Sequence, residues 1–334
     1  MLREMLNNQS TLWVVRETHY FDDLRPRLGE HARRPVSAED RARCETYFRA
    51  LAHRAYGQDG DPSQGRLDAN ELAREAQLLG DTPDAFFEAF CRIRARENGK
   101  ARWGEKTPRH VYRIPDLLSA FPSAQVVCLV RDPRAMVASY RDWKRKPAMG
   151  ETPEEMRDRI RVQKSYNVVL QALMWRSAMQ AALDAARRFG SQRVRLQPYE
   201  TLVADPATGL RELCAWLGVD YEDAMLGVPV VHSSYVESAA EAGVSTTPVD
   251  RWRSKLSPAE VSVIETCCGR LMERLAYVRA KPGAAPVDVA KAWLSLPGAF
   301  VRAAAINRGR IGRMPEYVGK RVRLVLRGSG TAAD

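Results

Sequence analysis

The sequence predicts an α/β fold in which parallel strands alternate with crossover helices, and three observations carry the prediction. QVVCLV (125–130) is short, continuously apolar and β-branched, as a strand buried on both faces must be. It runs into RDPRAMVASY, which turns straight into a helix. A long helical region over about 153–188 then leads to a second strand and turn, RVRLQPYETL (193–202). Strand–helix alternation of this kind implies a parallel sheet, because parallel strands need a return connection.

Taken in order, residues 2–8 (LREMLNN) read as a short helix and LWVV (12–15) as a strand leading into RETHYFDD (16–23). Helical periodicity over 38–56, 69–79 and 83–97 follows, with Ser37 and Thr82 as N-caps and GQDGDPSQG (57–65) as a loop. This block has no strands of its own and reads as a helical cap, about 38–97. WGEKTP (103–108) is a proline-terminated turn ahead of a short helix, 109–120. The long helix ends at Phe189-Gly190, a further helix over 207–217 closes at Gly218, and helix 258–276 starts at Ser257-Pro258. The segment KPGAAP (281–286) signals a linker. Domain organisation is therefore an α/β domain over 1–276 and a basic extension over 277–334. The extension reads either as a solvated helix packed on the domain or as a membrane-peripheral or polyanion contact.

Composition narrows the function classes. In the 334 residues, 45% are hydrophobic and 28% charged, which excludes collagen, coiled coil and wholesale disorder. Neither a transmembrane run nor a signal-peptide h-region is readable. The net charge is +11. Eight basic residues against the single acid Glu316 give +7 to residues 302–327, leaving about +4 elsewhere. A surplus of that size suits a small polyanionic ligand as well as nucleic acid. The six cysteines (Cys44, Cys91, Cys128, Cys214, Cys267 and Cys268) form no CxxC and have no histidine at metal-ligand spacing. They read as buried free thiols in a reducing, cytoplasmic compartment.

The chemistry concentrates at the end of the apolar strand. Arg131 emerges at its carboxyl edge, where open α/β sheets bind ligands. Ser139 follows two helical turns later. A guanidinium fork and a hydroxyl in that place suit a phosphate monoester, although a salt-bridged strand end with a small packing residue would use the same residue types. Lys106, in WGEKTP, precedes the same strand and can approach the same edge.

Together, WGEKTP, the strand, RDPRAMVASY, YETLVADP and DRWRSKLSP resemble the sulfotransferase family. The resemblance is strongest to the branch that includes tyrosylprotein sulfotransferases and many bacterial members, and it runs from residue 2 to about 276. It implies a P-loop-kinase-like parallel sheet with flanking helices, and 3′-phosphoadenosine 5′-phosphosulfate as sulfuryl donor. By the same resemblance Arg131 and Ser139 hold the donor's 3′-phosphate. Lys106 neutralises the leaving phosphate oxygen, and Tyr199 contacts the adenine. Ser245 and Arg251 belong to a late loop closing over the donor, Arg251 standing where the tyrosylprotein branch has a lysine. A further basic residue of that branch falls on Trp143 here. Glu17, in RETHYF, matches that branch's Glu-Thr pair and is the candidate base, with His19 the runner-up. A base works best near the operating pH, so Glu17 is expected to be partly desolvated.

The family's opening strand and RSGTT-type loop, which wraps the 5′-phosphosulfate, have no counterpart before LREML. The first central strand of the sheet is therefore expected to be missing, with its two neighbours left with unpaired edges. Three explanations stand: a true start upstream of Met1, a shortened and catalytically impaired nucleotide-binding protein, or supply of the unit by VRLVLRGSGT (322–331). The leading expectation is sulfuryl transfer to a hydroxyl of a glycan, lipid, small molecule or protein tyrosine, without a metal. A P-loop kinase would need GxxxxGK[ST] and acidic Mg²⁺ ligands, neither of which occurs. No motif supports nucleic-acid binding.

Overall fold

The computed structural model describes residues 1–52, 67–142, 163–228 and 249–306, together with Met156 and Ile160. In chain order its principal elements are α1 (Leu2–Asn7), β1 (Leu12–Val15), α2 (Tyr20–Asp23), α3 (Arg25–Leu28), α4 (Ala38–Ala52), α5 (Ala69–Leu78) and α6 (Pro83–Glu97). Then come β2 (Arg102–Glu105), α7 (Ile114–Ala120), β3 (Val126–Val130), α8 (Pro133–Asp142), α9 (Val168–Phe189) and β4 (Val194–Pro198). The last are α10 (Tyr199–Ala204), α11 (Pro206–Leu217), α12 (Trp252–Lys255), α13 (Pro258–Arg274), α14 (Pro286–Leu294) and α15 (Leu296–Ile306). The loop 57–65, Trp143, Ser245 and the segment 322–331 lie outside the described residues.

Local signals placed most boundaries. Ser37 Oγ accepts the Asp40 amide at 3.1 Å and Thr82 Oγ1 accepts Ala85 at 3.0 Å, so both act as N-caps. Ser257 and Glu260 close a capping box on α13. Gly190 and Gly218, at φ 80° and 70°, end α9 and α11 in conformations that side chains rarely adopt. Three boundaries need correction. Arg102–Glu105 is a strand, not a turn, because it pairs with β1. The short helix splits into a 3₁₀ turn, Pro108–Arg113, and α7. The long helix starts afresh at Val168, where Asn167 takes an extended backbone and its side chain caps the Leu170 amide.

The strands form two parallel pairs, β1–β2 and β3–β4. Both pairs occupy one layer. Leu12 and Val14 of β1 share an apolar cluster with Met5 and Leu6 of α1, Leu210 and Leu213 of α11, and Val127 of β3. On the opposite face Leu117 of α7 touches both the cluster holding Val15 and Trp103 and the cluster holding Val126 and Cys128. At the strand starts, Arg102 Nη2 donates to Gln125 Oε1 at 3.1 Å. The return connection through α7 then sets β3 parallel to β2.

Among the described residues no strand lies between β2 and β3. The Arg102 amide donates to Thr11 and the Lys106 amide to Val15, so β2 spends residues 102, 104 and 106 on β1. Trp103 and Glu105 point their backbone groups the other way. The Val126 amide likewise bonds Arg193, which leaves Val127 and Leu129 on the far edge of β3. The outer edge of β1, by contrast, is closed: Asn7 Oδ1 accepts the Val14 amide at 2.6 Å and its Nδ2 donates to the Val14 carbonyl at 3.3 Å.

The predicted cap helices do more than cover. Phe86, Phe87 and Phe90 of α6 pack with Val15, Trp13 and Trp103, so α6 lies directly on the β1–β2 pair. Tyr20 and Phe87 stack at 5.0 Å within the same cluster, and the Tyr20 hydroxyl donates to Asp84 at 2.8 Å. All six cysteines are free and buried. No helix among the described residues is long and apolar enough to cross a membrane.

Candidate functional site

The candidate residues gather where the strands end. Glu17 and His19 follow β1, Lys106 follows β2, Arg131 follows β3 and Tyr199 follows β4. The register Val15↔Glu105 and Val130↔Pro198 sets each pair of carboxyl ends level. This is the edge at which an open parallel sheet receives a ligand.

At the β1–β2 end, one carboxylate bridges two nitrogenous groups. Lys106 Nζ donates to Glu17 Oε1 at 2.5 Å, and His19 Nε2 lies 3.3 Å from Glu17 Oε2. Burial alone would raise the Glu17 carboxyl, but the hydrogen bonds from His19 and Lys106 outweigh it and hold the group at about 2. The expected partial desolvation of Glu17 is present, and the hydrogen bonds from His19 and Lys106 override its effect on the carboxyl. His19 has φ 55°, an uncommon conformation for a side-chain-bearing residue, and its amide donates to Thr107 Oγ1 at 3.3 Å.

A buried carboxylate that sequence reasoning passed over holds this corner. Glu105 Oε1 accepts from the Thr18 amide at 2.9 Å, from the Thr18 hydroxyl at 2.8 Å and from Thr107 Oγ1 at 2.5 Å. Its Oε2 meets His110 Nδ1 at 3.0 Å. Burial pushes the Glu105 carboxyl up, and the His110 hydrogen bond and charge pull it below its ordinary value. Glu105 therefore ties the loop carrying Glu17 and His19 to the loop carrying Lys106. The only sequence signal is its place inside WGEKTP.

At the β3–β4 end, the Arg131 guanidinium lies over the Tyr199 ring, Cζ to centroid 4.5 Å. Burial raises the Tyr199 hydroxyl's pKa while Arg131 opposes the shift, which leaves the ring a neutral platform. The Arg131 carbonyl accepts Trp175 Nε1 at 2.8 Å, anchoring the strand end to α9. Glu200, next to Tyr199, accepts the Asp132 amide at 2.9 Å and the Tyr277 hydroxyl at 2.8 Å. Burial and the Glu200 carboxylate push the Tyr277 hydroxyl well up. Neither Glu200 nor Tyr277 was foreseen.

Beneath Arg131 lies a buried ionic bracket. Arg134 bonds Asp132 through Nη2 at 2.6 Å and Glu265 of α13 through Nη1 at 2.8 Å. Its guanidinium also stacks on Trp252, 4.1 Å from the ring centroid. Arg251 directly precedes Trp252, at the N-cap of α12. Ser139 lies half-buried on α8, the helix that Arg141 joins to Glu260 at 3.2 Å. The structure thus brings together Glu17, His19 and Lys106 in one cluster, and Arg131 and Tyr199 in another. It places Ser139 and Arg251 on neighbouring short elements, whereas Ser245 lies outside the described residues. Among the described residues no group of three His, Cys, Asp or Glu side chains could hold a metal ion.

Comparison with known proteins gives this arrangement a lineage. No curated protein matches the chain. The sulfotransferase domain from the Synechococcus PCC 7002 olefin synthase is similar in fold, with a TM-score of 0.50 and 20% identity over 83% of this chain and 90% of that one. The sulfotransferase domain from the curacin biosynthetic pathway aligns over 83% of this chain and 93% of its own, at 17% identity and a TM-score of 0.49. The model of the sulfotransferase family matches residues 1–223 of the 334, two thirds of the chain. By that match, which spans all four strand ends described above, the chain belongs to the sulfotransferase family.

Proposed function

We propose that the protein transfers a sulfuryl group from 3′-phosphoadenosine 5′-phosphosulfate to a hydroxyl acceptor. The observation that carries this reading is the Arg131–Tyr199 stack at the carboxyl end of one strand pair and the Lys106–Glu17–His19 cluster at the carboxyl end of the other. A cation resting on an aromatic face suits an adenine nucleotide bearing a ribose phosphate, and Lys106 suits a second anion. The donor supplies an activated sulfuryl group and leaves as adenosine 3′,5′-bisphosphate.

In this reading Lys106 neutralises the leaving phosphate oxygen and Arg131 with Ser139 holds the 3′-phosphate. Tyr199 offers its face to the adenine, while Ser245 and Arg251 close over it. Glu17 takes the acceptor proton. Its carboxyl is a weak base while Lys106 rests on it. When Lys106 turns to a phosphate oxygen, Glu17 loses that hydrogen bond and its basicity rises toward what the reaction needs. His19, in contact with Glu17, is the alternative acceptor of the same proton, or its relay.

The test is a sulfate-transfer assay with a panel of glycan, lipid, phenol and peptide-tyrosine acceptors, run on wild type and Lys106→Ala. Lys106→Ala is expected to lose turnover by about 100-fold or more while still binding adenosine 3′,5′-bisphosphate. Unchanged turnover contradicts its role. The facing edges of β2 and β3, which have no strand partner among the described residues, favour a second reading, a nucleotide-binding protein of the same fold that transfers nothing. Bisphosphate binding by calorimetry without transfer to any acceptor would select that reading.

A further inference from the structure

The loop that carries Glu17 and His19 is gripped by a knot of polar groups centred on Glu105, whose side chain is 6% exposed at the end of β2. Three successive amides of the loop go to that carboxylate or to the threonines it holds. The Thr18 amide donates to Glu105 Oε1 at 2.9 Å, the His19 amide to Thr107 Oγ1 at 3.3 Å and the Tyr20 amide to Thr18 Oγ1 at 3.3 Å. Both threonine hydroxyls donate in turn to Glu105 Oε1, Thr18 at 2.8 Å and Thr107 at 2.5 Å. Thr107 stands at the N-cap of the 3₁₀ turn Pro108–Arg113, yet its hydroxyl caps nothing there. The Thr18 carbonyl accepts the Tyr47 hydroxyl of α4 at 2.6 Å, which fixes the loop from its other side.

The knot needs a negative charge at its centre. The Thr18 amide, the two hydroxyls and His110 Nδ1, at 3.0 Å, all face Glu105 as donors. An ionised carboxylate accepts from all of them, whereas a protonated one would set its own hydrogen against a donor. The carboxylate keeps the His110 proton on Nδ1, and the buried Nε2 has no hydrogen-bond partner among the described residues. What the charge holds in place is an uncommon turn. His19 lies at φ 55°, in the left-handed region that side-chain-bearing residues leave when they are free to relax. That turn sets His19 Nε2 3.3 Å from Glu17 Oε2, while Lys106, adjoining Glu105 and Thr107, reaches Glu17 Oε1 at 2.5 Å.

We propose that Glu105 and Thr107 are positioning residues for the transfer site: the anionic carboxylate orients the Thr107 hydroxyl, and that hydroxyl holds the His19 turn that brings Glu17 and His19 together opposite Lys106. Neither residue touches the reacting atoms. Their part in catalysis rests on the sulfuryl-transfer reading, whereas their grip on Glu17 is measurable without turnover.

The test compares wild type with Thr107→Val, which keeps the shape and loses the hydroxyl, and Thr107→Ser, which keeps the hydroxyl. Glu105→Gln puts an amide group among donors; the threonine pair decides the matter should that variant not fold. The first readout is the ¹³C signal of the Glu17 carboxyl, assigned with Glu17→Gln and followed from pH 7 to pH 3 on folded protein. The wild-type signal should barely move, because the group stands at about 2. In Thr107→Val its midpoint should rise by about one unit or more as the His19 contact loosens, and in Thr107→Ser it should stay with wild type. The second readout is steady-state kinetics. Thr107→Val should lose about tenfold or more in kcat, with the donor KM and the affinity for adenosine 3′,5′-bisphosphate within about twofold of wild type, and Thr107→Ser should restore kcat. A wild-type-like Glu17 signal in Thr107→Val, or Thr107→Ser impaired as much as Thr107→Val, would overturn the proposal. So would a loss confined to KM and nucleotide affinity. Should wild type transfer sulfate to no acceptor, the sulfuryl-transfer reading fails, and the Glu17 signal still decides whether the knot positions the loop.

Discussion

At Glu17 burial and hydrogen bonding pull in opposite directions, and the bonds win. The carboxyl stands at about 2 in the folded protein against an ordinary 4.5. A depressed acid stabilises the fold fully above its unfolded pKa and loses that contribution as pH falls through the folded one. The relevant window is therefore from about pH 4.5 down to about pH 2. The contribution is at most about 3 kcal/mol, and solvent around the half-exposed Lys106 reduces it. Urea unfolding of wild type and Glu17→Gln should show a stability gap at pH 7 that narrows by about 1 kcal/mol or more at pH 3. A gap independent of pH would mean that the Lys106 and His19 contacts do not hold the carboxylate. Arg131 was legible in the sequence because an apolar run must end somewhere, and the first charged residue beyond it stands at the sheet rim, whereas Tyr199 came from the resemblance alone. Glu105 was not legible, because a glutamate is ordinarily solvated and only the three-dimensional meeting of Thr18, Thr107 and His110 makes its burial tolerable.

Among the elements, α8 and α13 share an apolar cluster and are joined by Arg141 to Glu260 and by the buried Arg134. Its guanidinium satisfies Asp132 at the start of α8 and Glu265 on α13, and Glu265 in turn accepts the amides of Ala280 and Lys281. Removing one partner of such a bracket leaves buried carboxylates unpaired, at a cost of about 3–5 kcal/mol. Arg134→Met is accordingly expected to lower the melting temperature markedly, and by far more than Arg92→Met at the exposed pair on α6. Similar losses from the two would show that the bracket is not buried in solution. Helix periodicity predicted α4, α5, α6, α11 and α13 closely, since each carries a cap or a stop in its own sequence. It failed at β2, which is four residues long and contains a glycine, so only pairing with β1 makes it a strand. It failed again at Asn167, where a polar N-cap interrupts a pattern that is helical on both sides.

Over the whole molecule, the division of the described strands into two pairs is a feature that local signals cannot show. Helices cover both faces of the layer, while the facing edges of β2 and β3 keep backbone groups without strand partners among the described residues. Amide exchange reads this directly. The amides of Gly104, Cys128 and Val130 face a paired strand and should exchange slowly, whereas those of Trp103, Glu105, Val127 and Leu129 should exchange faster by about tenfold or more. Uniform protection along β2 and β3 would mean that another segment fills the space.

The account rests on an anion-binding rim at the strand ends, and calorimetry tests it most directly. Adenosine 3′,5′-bisphosphate titrated into wild type should bind, and Arg131→Ala should weaken the affinity by about 10- to 100-fold, the worth of a charge-assisted phosphate contact. Equal affinities in the two proteins, or no binding by wild type, would contradict the assignment of that rim to the nucleotide.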